Sequence, residues 1–544
     1  MSPSQNTTQN FDAIIVGGGI AGMYQLYRLR KLGMSVQVFE TGSDVGGTWY
    51  WNRYPGARFD SESYSYGYSF SDELLEEWDW TEHFSPQPET LRYLNFVADK
   101  FDLRKDIQFN TRVTEATYDE AANTWTVDTD QGDQVSAPIL ILALGPLSVP
   151  KKLDIPGMDT FEGEAFHTSE TPRDPNGFGP KTTDFTGLRV GVVGTGATGV
   201  QVIQETSKTA DRLTVFQLEP EYCSPLRNGP IDDETQKEIK ASYPEIFQKC
   251  RESYGSFVHN FDERSVMEMS DEEREAFFEE LYQRPGFAIW LANCGDILIN
   301  PKANDLITDF IRKKIRARIN DPKVADKLVP TNHGFGTRRV PMETNYYESY
   351  NQDNVKLVDI SETPIEAMTP KGIKTSDAEY ELDMIFFATG FDAVTGGFNK
   401  IDIRGTGGQT LKDKWADGPQ TYLGLQVSGF PNMFTLIGPH NGGTFCNIPR
   451  CIEQNVEWVT DFIAYMRDKG LKRVEATKEA EDKWTAEIDV VANRTLFPKT
   501  KSWYLGDNIP GKKHKFLLYA GGGPLFRQTC DDVAAKDYEG ISLE

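Results

Sequence analysis

Basic residues are in short supply in this chain: 57 Lys and Arg face 82 Asp and Glu, a formal charge of −25 at pH 7. Phosphate backbones and anionic bilayers are bound by clustered Lys and Arg, so neither nucleic acid nor a membrane is expected as a partner. An anionic small molecule must instead meet donors arranged locally for it. Cysteine is equally sparse. Six in 544 residues do not make a disulfide framework, which fits a reducing compartment. Cys446 and Cys451 are the one close pair, and they are expected to be ordinary packed thiols. Also missing is any run of about 20 apolar residues that could cross a bilayer. The polar start lacks the basic and apolar regions of a secretory leader. These absences point to a cytosolic protein. There is no H-E-x-x-H run or comparable ligand spacing, so no metal site is expected.

What is present begins with a strand. The chain is long enough for three or four compact units. The first opens with Ala13-Ile14-Ile15-Val16, a β-branched run that ends directly in Gly17-Gly18-Gly19-Ile20-Ala21-Gly22, as a buried parallel strand entering a tight turn does. A helix follows with Leu26, Leu29 and Leu32 on one face, then Gly33 as a stop, then the strand Val36-Gln37-Val38-Phe39-Glu40. That is a βαβ unit. The same grammar returns at Val190-Gly191-Val192-Val193, Gly194-Thr195-Gly196-Ala197-Thr198-Gly199, a helix through Val200 and Ile203, and Leu213-Thr214-Val215-Phe216. From Pro230 to Lys327 the chain is acidic and helix-prone, as a helical insertion would be. Two further apolar strands, Ile139–Leu142 and Asp383–Phe387, each run out into a glycine, and they predict two crossings between the nucleotide units. The fold class is therefore α/β, with two Rossmann-like dinucleotide-binding domains and a helical insertion in the second.

A G-x-G-x-x-G run is weak by itself, but both copies here follow a strand and open a helix. Gly17 and Gly194 allow the tight turn, Gly19 and Gly196 let backbone approach a pyrophosphate, and Gly22 and Gly199 bring helix against strand. The pyrophosphate then meets the positive end of the helix dipole. Glu40 ends its strand eighteen residues past Gly22, where a carboxylate can accept both ribose hydroxyls of an adenosine.

Downstream lies Gly46-Gly47-Thr48-Trp49-Tyr50-Trp51-Asn52-Arg53-Tyr54-Pro55-Gly56-Ala57-Arg58-Phe59-Asp60. No ordinary packing requirement explains the full string. It closely resembles the flavin-site signature of the Baeyer–Villiger monooxygenases, which oxygenate ketones through a flavin peroxide. A second signature of that family, F-x-G-x-x-x-H-x-x-x-W-[P/D], is met by Phe161, Gly163, His167 and Pro172, with Thr171 in place of the tryptophan. The resemblance continues through Thr337–Pro341, Ala388–Asp392, Asn447-Ile448 and Lys501–Trp503. It covers nearly the whole chain and leans toward members that act on bulky or large-ring ketones.

The resemblance implies FAD and NADPH as cofactors, and a ketone with dioxygen as substrates. It implies an FAD-binding domain over 1–148 and 383–544, an NADP-binding domain over 149–224 and 331–382, and the insertion over 225–330. Thr48, Trp49, Tyr66, Val113 and Ile448 would line the flavin, with Asp60 beside its isoalloxazine. Thr195, Gly196, Thr198 and Gln201 would hold the nicotinamide dinucleotide, and Trp503 would close over it. Arg339 would be the central catalytic cation, paired with Asp60. A guanidinium stays protonated at any working pH and can shelter negative charge on oxygen. His167 is expected to be structural. Leu147, Phe445 and Tyr504 are pocket candidates by proximity to motifs alone.

One departure bears on the cofactor. Relatives that prefer NADPH carry Arg-Thr where this chain has Leu218-Glu219. Leucine cannot pair with a 2′-phosphate and glutamate repels one, so Arg338 is left as the remaining basic group, and NADH becomes a possible donor. The nearest rivals are a heteroatom-oxidising flavin monooxygenase, a disulfide reductase, whose dithiol would follow the first turn, and a non-catalytic flavoprotein.

Overall fold

The computed structural model describes residues 9–441 and 446–544. Phe445 lies outside the described residues. Two five-stranded parallel sheets form the frame. The first runs in the order Met433–Thr435, Ile139–Leu142, Ala13–Val16, Val36–Phe39, Ile107–Gln108. The second runs Val355–Asp359, Arg212–Gln217, Arg189–Val193, Met384–Phe387, Glu164–His167. Ala13–Val16 and Ile139–Leu142 in the first and Met384–Phe387 in the second are apolar throughout and buried, as parallel sheets covered on both faces require. A meander of Val113–Asp119, Thr124–Thr129 and Gln134–Ala137 packs on the far side of the first sheet. A three-stranded antiparallel sheet, Ile365–Thr369, Gly372–Thr375 and Glu379–Glu381, covers the outer face of the second.

The two sheets repeat one device. At the first turn Gly17 has φ +112°, and a Cβ there would lie 2.4 Å from the carbonyl oxygen of Ala143, where Ile139–Leu142 exits. At the second, Gly194 has φ +108°, and its Cβ would lie 2.5 Å from the oxygen of Ala388, where Met384–Phe387 exits. In both, the neighbouring strand closes under the first glycine, so no side chain fits. This pairing corrects the expected boundary at 382/383. Val190 to Val193 register against Met384 to Phe387, so Met384–Phe387 belongs to the second sheet, and the chain returns to the first unit only after it. An apolar strand carries no mark of which sheet it will join.

The insertion is helical, with Asp233–Ala241, Tyr243–Glu252, Asp271–Gln283 and Pro301–Ala317 as its main elements. Asp271–Gln283 starts at a reciprocal capping box between Ser270 and Glu273. Pro301–Ala317 starts at an Asn300 cap and buries Ala303, Ile307, Phe310, Ile311 and Ile315 on one face. Arg318 then pairs with Glu343 and Glu348, both at 2.6 Å, tying the insertion to the segment that follows Arg339.

Cys446 and Cys451 are corrected as well: the structure joins them in a disulfide, with Cα atoms 6.6 Å apart. Cys451 sits in the first turn of the helix Ile448–Lys469, which carries it back over Cys446. Cys223, Cys250, Cys294 and Cys530 are free and buried. No helix of the described residues is long and apolar enough to cross a membrane.

Candidate active site

Both phosphate turns are shaped for a dinucleotide. Around the first, Glu40 is buried and accepts from the backbone N–H of Gly18 at 2.7 Å and of Gly42 at 2.6 Å. It is therefore fixed at the turn, where an adenosine ribose would lie. Gly22 sits so tightly that a Cβ would fall 1.8 Å from the oxygen of Gly17. At the second turn the middle glycine, Gly196, opens on space: a Cβ there meets nothing within 4 Å. The helices Ile20–Lys31 and Ala197–Thr206 begin directly after these turns without a side-chain cap, leaving N–H groups of each first turn for an anion.

The segment 46–60 lies between the two units because of one glycine. Gly56 has φ +80°, and a Cβ there would lie 2.6 Å from the backbone oxygen of Gln201. Without a side chain it rests directly on the second turn's helix. Gln201 then stitches the two together: its Oε1 accepts from the Tyr54 hydroxyl at 2.9 Å, and its Nε2 donates to the Arg58 carbonyl at 3.0 Å and reaches Asp60 Oδ1 at 3.5 Å. Trp49 donates from Nε1 to the Tyr66 hydroxyl at 3.0 Å, and Phe59 stacks on Tyr66 with centroids 4.2 Å apart. The aromatic density of the motif is thus a rigid corner.

Asp60 and Arg339 meet across the units. Arg339 Nη2 donates to Asp60 Oδ2 at 2.9 Å, with the Asp60 side chain 4% exposed and the Arg339 side chain 33% exposed. Burial pushes the Asp60 carboxyl up, against the Arg339 charge and a backbone hydrogen bond from Met342, and the net shift is upward. Above that raised value Asp60 is ionised and holds Arg339; below it the carboxyl takes a proton and the grip weakens. The acid limb of kcat/KM for ketone is therefore expected above the ordinary carboxylate range, and Asp60→Asn should flatten it. An unchanged limb in that variant would take Asp60 out of the pH response.

A residue without any sequence signal completes the pair. Phe287, in the insertion, places its ring 4.6 Å from the Arg339 guanidinium carbon, and is itself packed against Phe257 and Trp290. A cation over a desolvated ring gains about 0.5–2 kcal/mol, so Phe287→Leu is expected to slow oxygenation roughly 2–30-fold. FAD binding should persist, and Phe287→Tyr should restore the rate. Equal losses in both variants would mark a packing role only. No motif marks Phe287, because it stands more than fifty residues from Arg339 within a helical stretch.

Other expected residues fall in different places. Arg338 Nη1 bridges an acid pair, at 2.8 Å from Glu219 Oε2 and 3.1 Å from Glu221 Oε1. Burial pushes the Glu219 carboxyl up, but the Arg338 hydrogen bond and charge outweigh it and hold it below the usual range. Leu218 is exposed. Ile448 opens the long helix Ile448–Lys469, and the buried Asn447 before it donates to Ser65 and has its own Oδ1 without a partner among the described residues. Val113 starts the meander, buried. Trp503 is half-buried with Leu147 against Ala393, Val394 and Leu517, and Tyr504 is fully buried within the field of Arg339. His167 is a tie: its Nε2 lies 3.0 Å from the Gly390 carbonyl and its Nδ1 2.8 Å from Ser169 Oγ, and burial lowers its pKa. Thr171, at the tryptophan position, accepts from Arg53 through its carbonyl at 2.9 Å, so the backbone there, not the side chain, joins the two signatures.

Comparison with known proteins agrees with this geometry. The pyridine nucleotide-disulphide oxidoreductase family matches residues 11–273. The chain is 49% identical to the 2-oxo-Δ3-4,5,5-trimethylcyclopentenylacetyl-CoA monooxygenase of Pseudomonas putida, over 98% of each chain. It is 43% identical to a Baeyer–Villiger monooxygenase of Pseudooceanicola batsensis, covering 98% of this chain and 96% of that one. The crystal structure of OTEMO in complex with FAD and NADP superposes with a TM-score of 0.95 at 49% identity, over 99% of this chain and 100% of that one. With two dinucleotide folds, the aromatic corner and a buried carboxylate–guanidinium pair between them, the chain belongs to the FAD- and NADPH-dependent Baeyer–Villiger monooxygenases.

Proposed function

We propose that this chain converts a bulky cyclic ketone to a lactone, with Arg339 and Asp60 as the catalytic pair. The overall change is ketone, dioxygen, NADPH and a proton to ester, water and NADP+. One oxygen atom enters between the carbonyl carbon and its neighbour, and the other leaves as water. FAD, when bound, supplies the activation of dioxygen after reduction by NADPH.

The chain's own residues bind, orient and stabilise. Gly17, Gly19, Gly22 and Glu40 hold the adenosine half of FAD, and Thr48, Trp49, Tyr66, Val113 and Ile448 line its ring. Gly194, Thr195, Gly196, Thr198, Gly199 and Gln201 hold NADPH, with Trp503 covering it. Arg339 stabilises negative charge that develops on oxygen, and needs no proton exchange to do so. No side-chain nucleophile is required, because the cofactor carries the hard chemistry.

The observation that carries this reading is the 2.9 Å contact between Arg339 and a buried Asp60 at the junction of two dinucleotide folds. The bulky substrate is supported by the relative named for a trimethylcyclopentenylacetyl-CoA. The test is direct: purified protein should be yellow, oxidise NADPH faster when a ketone is added, and yield lactone by mass spectrometry. Small-ring, large-ring and steroid ketones offered as a panel should favour the larger ones. Product from amines or sulfides alone would move the chain to heteroatom oxygenation.

A further inference from the structure

The second nucleotide turn is followed by an acid pair that the fold does not require. Strand Arg212–Gln217 ends at the edge where the adenosine ribose of a dinucleotide lies in this type of fold. Glu219 stands twenty residues past Gly199, two beyond Gln217, which holds the position matching Glu40, so its carboxylate borders the place where a dinucleotide's adenosine ribose lies. It is fixed there, because Thr195 Oγ1 donates to its backbone oxygen at 2.9 Å. Its side chain is 47% exposed, so a ligand can reach it. Arg338 is the basic group beside it, and its guanidinium already serves Glu219 and Glu221 together, with only 13% of the side chain exposed. His333 lies 3.3 Å from the other oxygen of Glu221. Between the two acids and the strand, Leu218 offers no donor.

A ribose 2′-phosphate brings about −1.5 to −2 charges at pH 7. Here it would enter beside two carboxylates that share Arg338 Nη1, and would have to compete with both of them for that guanidinium against their repulsion. A free 2′-hydroxyl meets no such opposition. It can donate to Glu219 without breaking either ion pair.

We propose that Glu219 and Glu221 set the nicotinamide preference of this chain: they hold Arg338 as an internal partner, so the site takes NADH as well as NADPH, with Glu219 accepting from the adenosine 2′-hydroxyl. This rests on the assignment of the second turn to the nicotinamide dinucleotide, and it extends that assignment to a specificity-determining acid pair.

The experiment titrates oxidised FAD enzyme with NAD+ and with NADP+, following the flavin absorbance or the heat of binding, with no ketone present. The two dissociation constants should lie within about tenfold of each other. In the double variant Glu219→Gln with Glu221→Gln, Arg338 is released, and the ratio should shift toward NADP+ by about 10–200-fold, the worth of a charge-assisted hydrogen bond. Leu218→Arg, at an exposed position that leaves folding untouched, should shift it the same way. Retained flavin colour shows that each variant is folded. NADP+ preferred by about a thousandfold or more in the unsubstituted chain, or a ratio that neither variant moves, would overturn the proposal. Because no ketone is involved, a failure to form lactone would sink the proposed reaction and leave this result standing, and the reverse also holds.

Discussion

Replacing Arg339 by alanine is expected to cut lactone formation about 100–1,000-fold, the usual loss when a preorganised donor to developing oxygen charge is removed. FAD binding and its reduction by NADPH should survive far better, because neither phosphate turn touches Arg339. The variant also leaves Asp60 buried without its cation, so some loss of stability is expected alongside. Thermal melting separates that loss from the chemical one. Arg339→Lys should recover part of the rate, since it restores charge but not the planar fork that reaches both Asp60 and the Val340 carbonyl. Anaerobic reduction followed by mixing with oxygen and ketone reads the two steps apart. Full lactone yield from the alanine variant would remove Arg339 from the reaction.

A second large effect is expected at the first glycine of each turn, and the two should fail differently. Gly17→Ala puts a methyl 2.4 Å from the Ala143 oxygen at φ +112°, a backbone region that L side chains rarely adopt. The strain is about 1–3 kcal/mol before the clash is counted, and it falls on the turn proposed to receive FAD. That variant should purify colourless. Gly194→Ala makes the same collision, 2.5 Å from the Ala388 oxygen at φ +108°, but under the second turn. It should stay yellow and lose affinity for NADP+ by roughly 5–150-fold. A yellow Gly17→Ala protein with normal NADP+ binding would show that the turns tolerate a side chain and would undo the assignment of their roles.

Much of the frame was legible before any coordinates. Each βαβ unit announced itself through a β-branched run that ends in glycine, and local chemistry accounts for this: only glycine tolerates the positive φ under a neighbouring strand. The insertion was legible for a similar reason, because capping residues such as Ser270 and Asn300 and apolar positions at helical spacing act within a few residues of one another. The errors lie where distant segments choose partners. Met384–Phe387 has the composition of a strand for either sheet, and only its register against Val190–Val193 assigns it. Cys446 and Cys451 are five apart, and only the start of a helix between them turns that spacing into a bond.

The site divides along the same line. Arg339 and Asp60 could be named from their motifs, but they are 279 positions apart, and nothing local to either says that they touch. Phe287 over the guanidinium and Glu221 beside Arg338 had no signal at all. Residue order alone determined the two nucleotide turns, the helical insertion and the identities of the charged groups, because each follows from backbone and side-chain preferences over short spans. The tertiary structure alone decided which charges meet, which ring covers the cation and which acids pair with Arg338. Those contacts arise from packing between segments far apart in the chain, and their energies exist only once the segments are assembled.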